Sequence, residues 1–184
     1  MIQSVLDTEV DSEVIMRAMT ETNLKDAFAG ESQAHMKYLA FAAKAEKDGF
    51  PQVALLFKAI SYAEQVHAHN HLKVLEGVGE TIANLEAAMA GENFEIGEMY
   101  PAYDAVAQLQ DEKGAVRSIH FALEAEKGHE TIFGQAIEAV RGGKDVEATS
   151  VYVCPVCGHT HIGQPSERCP ICNVPAEKYV AFTG

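Results

Sequence analysis

Residues 61–71 read SYAEQVHAHNH, and Glu64 and His67 stand three apart, so on a helix they share one face. Phe57, Ile60, His71 and Val74 fall on that face as well. Residues 121–130, FALEAEKGHE, repeat the spacing with Glu126 and His129, beside Ala122 and Phe133. A carboxylate turned toward an apolar core is costly unless something pairs with it. Each pair is preceded by another acid in an apolar, helix-periodic stretch: Glu31 between Phe28 and Ala34/Tyr38, and Glu98 in FEIGEMYPAY. The order "Glu, then E-x-x-H" therefore occurs twice at similar separations, 31 to 64 and 98 to 126. Two divalent cations held close together need roughly four carboxylates to neutralise them, and one imidazole each favours iron or manganese over magnesium. A single E-x-x-H is more often a solvated surface pair; its duplication behind an inward Glu turns the reading toward metal.

Neighbouring residues stay open on periodicity. Glu95 precedes Glu98 by three and reads equally as a fifth carboxylate or as a solvated one; Glu130 follows Glu126 by four and can face in. Glu124 points largely away. His35, four after Glu31, reads as a polar core residue before it reads as a ligand. His69 faces away from His67, and His71 shares the ligand face without being needed as a ligand. Tyr38 and Tyr103 read as core fillers within reach of a ligand carboxylate.

The four cysteines form two hooks, Cys154-Pro-Val-Cys157 and Cys169-Pro-Ile-Cys172. Gly158 and Asn173 follow the second cysteine of each hook, and both residue types accept the left-handed backbone that such a turn requires. Four thiolates set a tetrahedral site for zinc or iron, and spacing does not choose between them. Zinc would staple a module too small to fold on its core; iron would make a one-electron carrier.

The formal net charge of −13, with no Lys/Arg run, argues against nucleic acid as a partner. The longest purely apolar run, Val53 to Phe57, cannot span a bilayer. The start, MIQSVLDTEVDSE, has neither a positive n-region nor an apolar h-region, so a cytoplasmic location is expected. Paired cysteines without an export signal read as a metal site, not a disulfide framework.

Four long helices must position these groups. After a lead over residues 1–20, weakly amphipathic around Val14, Ile15 and Met19, the first runs from about Leu24 to Asp48, with Thr22 or Asn23 as cap and Gly49 as stop. The second starts at Pro51 and ends near Gly77 and Gly79. A short helix over 81–90 follows. The third long helix spans about Glu92 to Gln110, with Pro101 predicting a kink, and the fourth ends near Val140. This pattern predicts a mainly α protein: a ferritin-like four-helix bundle with one long crossover, the ligand set of di-iron carboxylate bundles, and a small rubredoxin-like metal-knuckle domain. The expected domains are 1–141, a linker over 142–150, and 151–184.

AFAGESQAHMKY, AEQVHAH, ENFEIGEMYPAY, EAEKGHE and the two C-P-x-C hooks together resemble the rubrerythrin family along nearly the whole chain. The resemblance implies two iron ions in a carboxylate-bridged site and one iron in a four-cysteine site. The implied ligands are Glu31, Glu64, His67, Glu95, Glu98, Glu126 and His129, and Cys154, Cys157, Cys169 and Cys172. It also implies a peroxidase that reduces hydrogen peroxide to water, with His67 and Glu95 exchanging at one iron and Glu64 or Glu95 carrying protons. Electrons would come from rubredoxin or an NAD(P)H-dependent flavoprotein reductase. The rivals are a ferroxidase or iron-handling protein, and a non-enzymatic adaptor whose tail is a zinc ribbon. Two features depart from the family pattern: the lead is long, and His159 stands where an aromatic is expected, which bears on tuning the iron, not on binding it. The nine-residue linker reaches at most about 30 Å, against about 37 Å for a helix of roughly 25 residues. The tail is thus expected far from its own metals, and the resemblance implies a head-to-tail homo-oligomer with each tail serving its partner's metals.

Overall fold

The computed structural model describes residues 16–184; the lead expected over 1–20 lies outside the described residues as far as residue 15. The rest forms α1 (Ala18–Lys47), α2 (Pro51–Val74), α3 (Thr81–Phe94), a π turn (Glu95–Met99), α4 (Tyr100–Leu109), α5 (Lys113–Arg141) and strands β1 (Ser150–Val153), β2 (Thr160–Ile162) and β3 (Val180–Thr183). The chain divides into two compact units, one ending at Val78 and the other covering Gly79–Gly184.

The first unit is the α1–α2 hairpin. α1 starts earlier than expected: Thr22 is not its cap but bonds back to the Ala18 carbonyl at 3.0 Å. The stop at Gly49 is as expected. Its φ of +83° turns the chain, and the Phe50 N–H reaches the Ala45 carbonyl at 2.9 Å. Pro51, which lacks an N–H, opens α2 where none is needed. The buried residues of α2 are small and seven apart, Ala54, Ser61 and Ala68, and those of α1 are Ala42 and Ala45. Such a seam lets two helices approach closely. His35 is part of it. Its Nδ1–H donates to the Ser61 carbonyl and the Ser61 hydroxyl donates to the His35 carbonyl, both at 2.9 Å. His35 is thus a structural residue. Ser61→Ala is expected to cost about 0.5–1.5 kcal/mol, the net worth of one buried hydrogen bond; an unchanged denaturation midpoint would contradict this.

The connection between the hairpins differs from expectation. The short helix expected at 81–90 is the first half of one continuous helical run, Thr81–Leu109, leaving only residues 75–80 as the link. The side chain of Asn84 holds the end of this link, bonding the N–H and the carbonyl of Gly79 at 2.8 and 2.7 Å.

The kink expected at Pro101 takes the form of the π turn. Proline donates no hydrogen bond and its ring presses on the carbonyl four residues back, that of Gly97. The wider turn absorbs both effects, with the Tyr100 N–H bonding the Glu95 carbonyl instead. Single π turns inside α-helices often mark functional sites.

In the C-terminal part of the second unit, β1 pairs antiparallel with β2 and with β3. Gly158 and Asn173 adopt the left-handed backbone expected of them, with φ of +81° and +61°. Their N–H groups close each hook on Cys154 and Cys169 carbonyls at 3.0 and 2.9 Å. This module lies against α5: Phe121 packs on the cysteines, and a side chain at Gly158 would begin 3.7 Å from the Ala125 methyl. That is ordinary van der Waals contact, so glycine at 158 is favoured by its positive φ and not by lack of space. Among the described residues no helix is long and apolar enough to cross a membrane.

Candidate metal centres

Within the α1–α2 hairpin, Glu31, Glu64 and His67 converge, their ligand atoms all within 4.8 Å of one another. His67 Nδ1 lies 2.9 Å from Glu64 Oε2 and 3.9 Å from Glu31 Oε1. The three-residue step on α2 places the first pair, and α1 brings the second carboxylate across the small-residue seam.

The second unit repeats the arrangement. His129 Nδ1 lies 2.5 Å from Glu126 Oε2 on the same helix and 4.0 Å from a carboxylate of the other helix. That carboxylate is Glu92, which had not been singled out from the sequence; Glu98, the inward acid expected there, is exposed. The π turn explains the difference. It closes with an i→i+5 bond, so each residue turns through a smaller angle and those after Glu95 leave the α-helical register. A signal for Glu92 was present. Glu31 precedes Glu64 by 33 residues and Glu92 precedes Glu126 by 34, whereas Glu98 precedes it by 28.

Burial, together with the charge and hydrogen bond of Glu126, pushes the Glu92 carboxyl up to about 7. Glu95, the first residue of the π turn, is half-buried; burial and then Glu126 raise it, while His129 acts in the opposite sense. Tyr100, also not anticipated, faces the same group: burial and then the charges of Glu95, Glu126 and Glu92 raise its phenol. Crowded, partly desolvated carboxylates of this kind lack a cation. The donors suit one: two carboxylates and an imidazole in each cluster match the side chains that hold iron or manganese. Glu124 pairs with Lys127 at 2.6 Å on the surface and His69 is exposed, as read from the sequence.

The four cysteines are free and clustered, with Cys154 and Cys172 sulfurs 3.5 Å apart and those of Cys157 and Cys169 3.4 Å apart. A tetrahedral metal with bonds of about 2.3 Å sets sulfurs roughly 3.8 Å apart, and a disulfide only about 2.05 Å. The donor set therefore fits a metal. Burial raises the Cys169 thiol, but hydrogen bonds from the Cys172 backbone, Tyr179 and the Ile171 backbone outweigh it and bring it down to about 6. His159, whose imidazole burial holds below its usual range, lies edge-on to Tyr179 in place of the expected aromatic.

The tail was expected far from its own helices' metals. It is not: the Thr160 hydroxyl lies 2.8 Å from His129 Nε2. The linker makes this possible by running back along α5, where Val146 and Ala148 line one apolar pocket with Ile132, Phe133 and Ala136. From Arg141 back to Ala125 is about 24 Å of helix, within the linker's reach of about 30 Å.

The Rubrerythrin family model matches residues 22–137, and the model for its rubredoxin-like domain matches residues 152–180. Rubrerythrin-2 of Clostridium acetobutylicum is 42% identical over 182 residues, covering 91% of this chain and 99% of that one. Rubrerythrin of Nitratidesulfovibrio vulgaris is 34% identical, covering 85% and 90%. Among solved structures, partially reduced nigerythrin matches at 31% identity with a TM-score of 0.54, over 95% of this chain and 91% of that one. With both domain matches in chain order and full-length relatives at this identity, the chain belongs to the rubrerythrin family, ferritin-like proteins with a di-iron site and a rubredoxin-like four-cysteine metal site.

Proposed function

We propose that this protein is a non-haem di-iron peroxidase that reduces hydrogen peroxide to water, with electrons delivered through the four-cysteine iron. The observation that carries this reading is the seating of the four-cysteine module against a metal half-site through His129. An iron-storing ferroxidase has no use for an electron inlet there, and a zinc adaptor has no use for the carboxylates. The balance is H2O2 plus two electrons and two protons giving two waters.

Glu31, Glu64 and His67 hold one side of the centre, and Glu92, Glu126 and His129 the other. Bound iron supplies the electrons and the Lewis acidity that break the O–O bond. Glu95, whose carboxyl burial shifts upward, stands beside the centre, where it can pass a proton to a departing oxygen or would exchange with His67 as a ligand. The Tyr100 phenol, raised by burial and by the nearby carboxylates, stays neutral beside them. Rubredoxin or an NAD(P)H-dependent flavoprotein reductase is the proposed donor to the cysteine iron.

The centre is completed by a second copy of the chain. Ferritin-like bundles need one connection running the length of a helix. α2 is 24 residues, about 36 Å; residues 75–80 reach only about 20 Å. In this reading the α1–α2 hairpin of one copy closes on α3–α5 of another, which also covers Val53, Leu56 and Ile60, exposed on the Glu64 face of α2.

The test is anaerobic reduction of the iron-loaded protein followed by mixing with peroxide. Return of the red ferric cysteine site, with one peroxide consumed per two electrons, is expected. Oxidation of added ferrous iron with iron accumulating in its place would instead favour ferroxidase, and a colourless protein the zinc adaptor. Glu95→Ala is expected to keep both helical irons yet slow the peroxide step about 100-fold or more, as loss of a positioned proton donor does.

A further inference from the structure

The hydroxyl of Thr160 has two jobs at once. It sits 2.8 Å from His129 Nε2, and it donates to the Gly158 carbonyl at 3.1 Å. Its single proton is therefore committed to Gly158, and toward His129 it can only accept. That requires a proton on Nε2. Nδ1 is then the bare nitrogen, and it is the one that points to Glu126 and Glu92. We propose that Thr160 is a positioning residue that locks His129 in its Nδ1-ligating tautomer and joins the cysteine loop to the di-iron site, making the His129 side the electron entry.

The link is short in chemical terms. Gly158 follows Cys157 directly, and its N–H closes the hook on the Cys154 carbonyl at 3.0 Å. From the thiolate loop the route runs through the Gly158 carbonyl, the Thr160 hydroxyl and the His129 ring, crossing two hydrogen bonds. The two chain regions are held in register by the contact of Gly158 with Ala125 and of Phe121 with the cysteines. A metal-bound histidine usually gives its second N–H to a carbonyl or carboxylate nearby. Here the acceptor belongs to the module that carries the electrons, so imidazole orientation and module docking are one interaction.

The other half-site lacks this tie. His67 is half exposed, and among the described residues it is hydrogen-bonded only through Nδ1 to Glu64. Within the single chain the two histidines are thus held differently: His129 is tied through both ring nitrogens and His67 through one. Iron held by Cys154, Cys157, Cys169 and Cys172 would supply one electron at a time, so two such transfers would balance one peroxide.

This inference rests on the peroxidase reading for its kinetic consequence but not for its tautomer, so two measurements separate them. In the full chain reconstituted with zinc, nitrogen NMR of the His129 ring reports the tautomer directly. Wild type and Thr160→Ser should show a protected Nε2–H, and Thr160→Val should lose the protection. Retention of it in Thr160→Val overturns the proposal. In the iron-loaded protein, mixing the reduced form with peroxide should give return of the red colour slowed about 10- to 100-fold in Thr160→Val, the usual loss for an outer partner of a metal-bound histidine. Thr160→Ser should behave as wild type. Equal rates in all three proteins overturn the wiring. If none responds to peroxide, the peroxidase reading fails while the NMR result still decides the tautomer.

Discussion

Glu126→Ala is expected to strip iron from the helical centre and leave the cysteine-held iron in place. The Glu126 carboxylate lies 2.5 Å from His129 Nδ1 and also carries the hydrogen bond to Glu92. Its loss removes one of three donors from a half-site, and with it the bridge between the carboxylates. Iron should fall from about three per chain to about one, the count that the four-cysteine site holds alone. The red colour should survive, because Cys154, Cys157 and Cys169 are buried with their own packing partners. Glu92→Ala should have the same effect, whereas Glu98→Ala should retain all three irons, since Glu98 is exposed within the π turn. If Glu98→Ala loses helical iron and Glu92→Ala does not, the half-site has been assigned to the wrong carboxylate.

That pair of variants also marks where sequence reading stops. Glu31, Glu64, His67, Glu126 and His129 were legible because each lies in an uninterrupted α-helix, where a three-residue step fixes the face. The same logic failed on the third helix for a local reason. Helical periodicity was carried across Glu95–Met99 as though the turn were α, and the π turn ahead of Pro101 shifts the register there. The proline was noticed; its consequence was read as a bend when it was a rotation. The cysteine hooks were fully legible, down to the left-handed Gly158 and Asn173. Thr160 was not, because nothing local connects a strand of one module to a histidine thirty-one residues earlier. Such a contact depends on the path of the linker, and length alone set only an outer limit on that path.

A mixed dimer tests how the centre is assembled and fed, and its outcomes differ completely. Two tagged pairs are compared, each purified through both tags. In the first, a Glu64→Ala chain is joined with a Cys154→Ala/Cys157→Ala chain; in the second, a Glu126→Ala chain is joined with the same cysteine variant. Hairpin exchange, with each module seated on its own α5, makes a definite prediction. In the first pair, the intact α1–α2 hairpin of the cysteine variant closes on the intact second unit of the Glu64 variant. One of the two centres in the dimer is then whole and has a working inlet, so turnover should recover to about half that of wild type. In the second pair, the only working module sits on an α5 that lacks Glu126, and the only complete centre has no module, so turnover should stay absent. A bundle closed within each chain gives no activity in either pair, because no chain then has both a full ligand set and its own module. Delivery from one subunit's tail to a partner's self-contained bundle gives activity in both. The six-residue link at 75–80 argues against the first of these alternatives and the hydrogen bond between Thr160 and His129 against the second. Recovery in the Glu126 pair would show that the docking of the module on its own α5 is not the route electrons take.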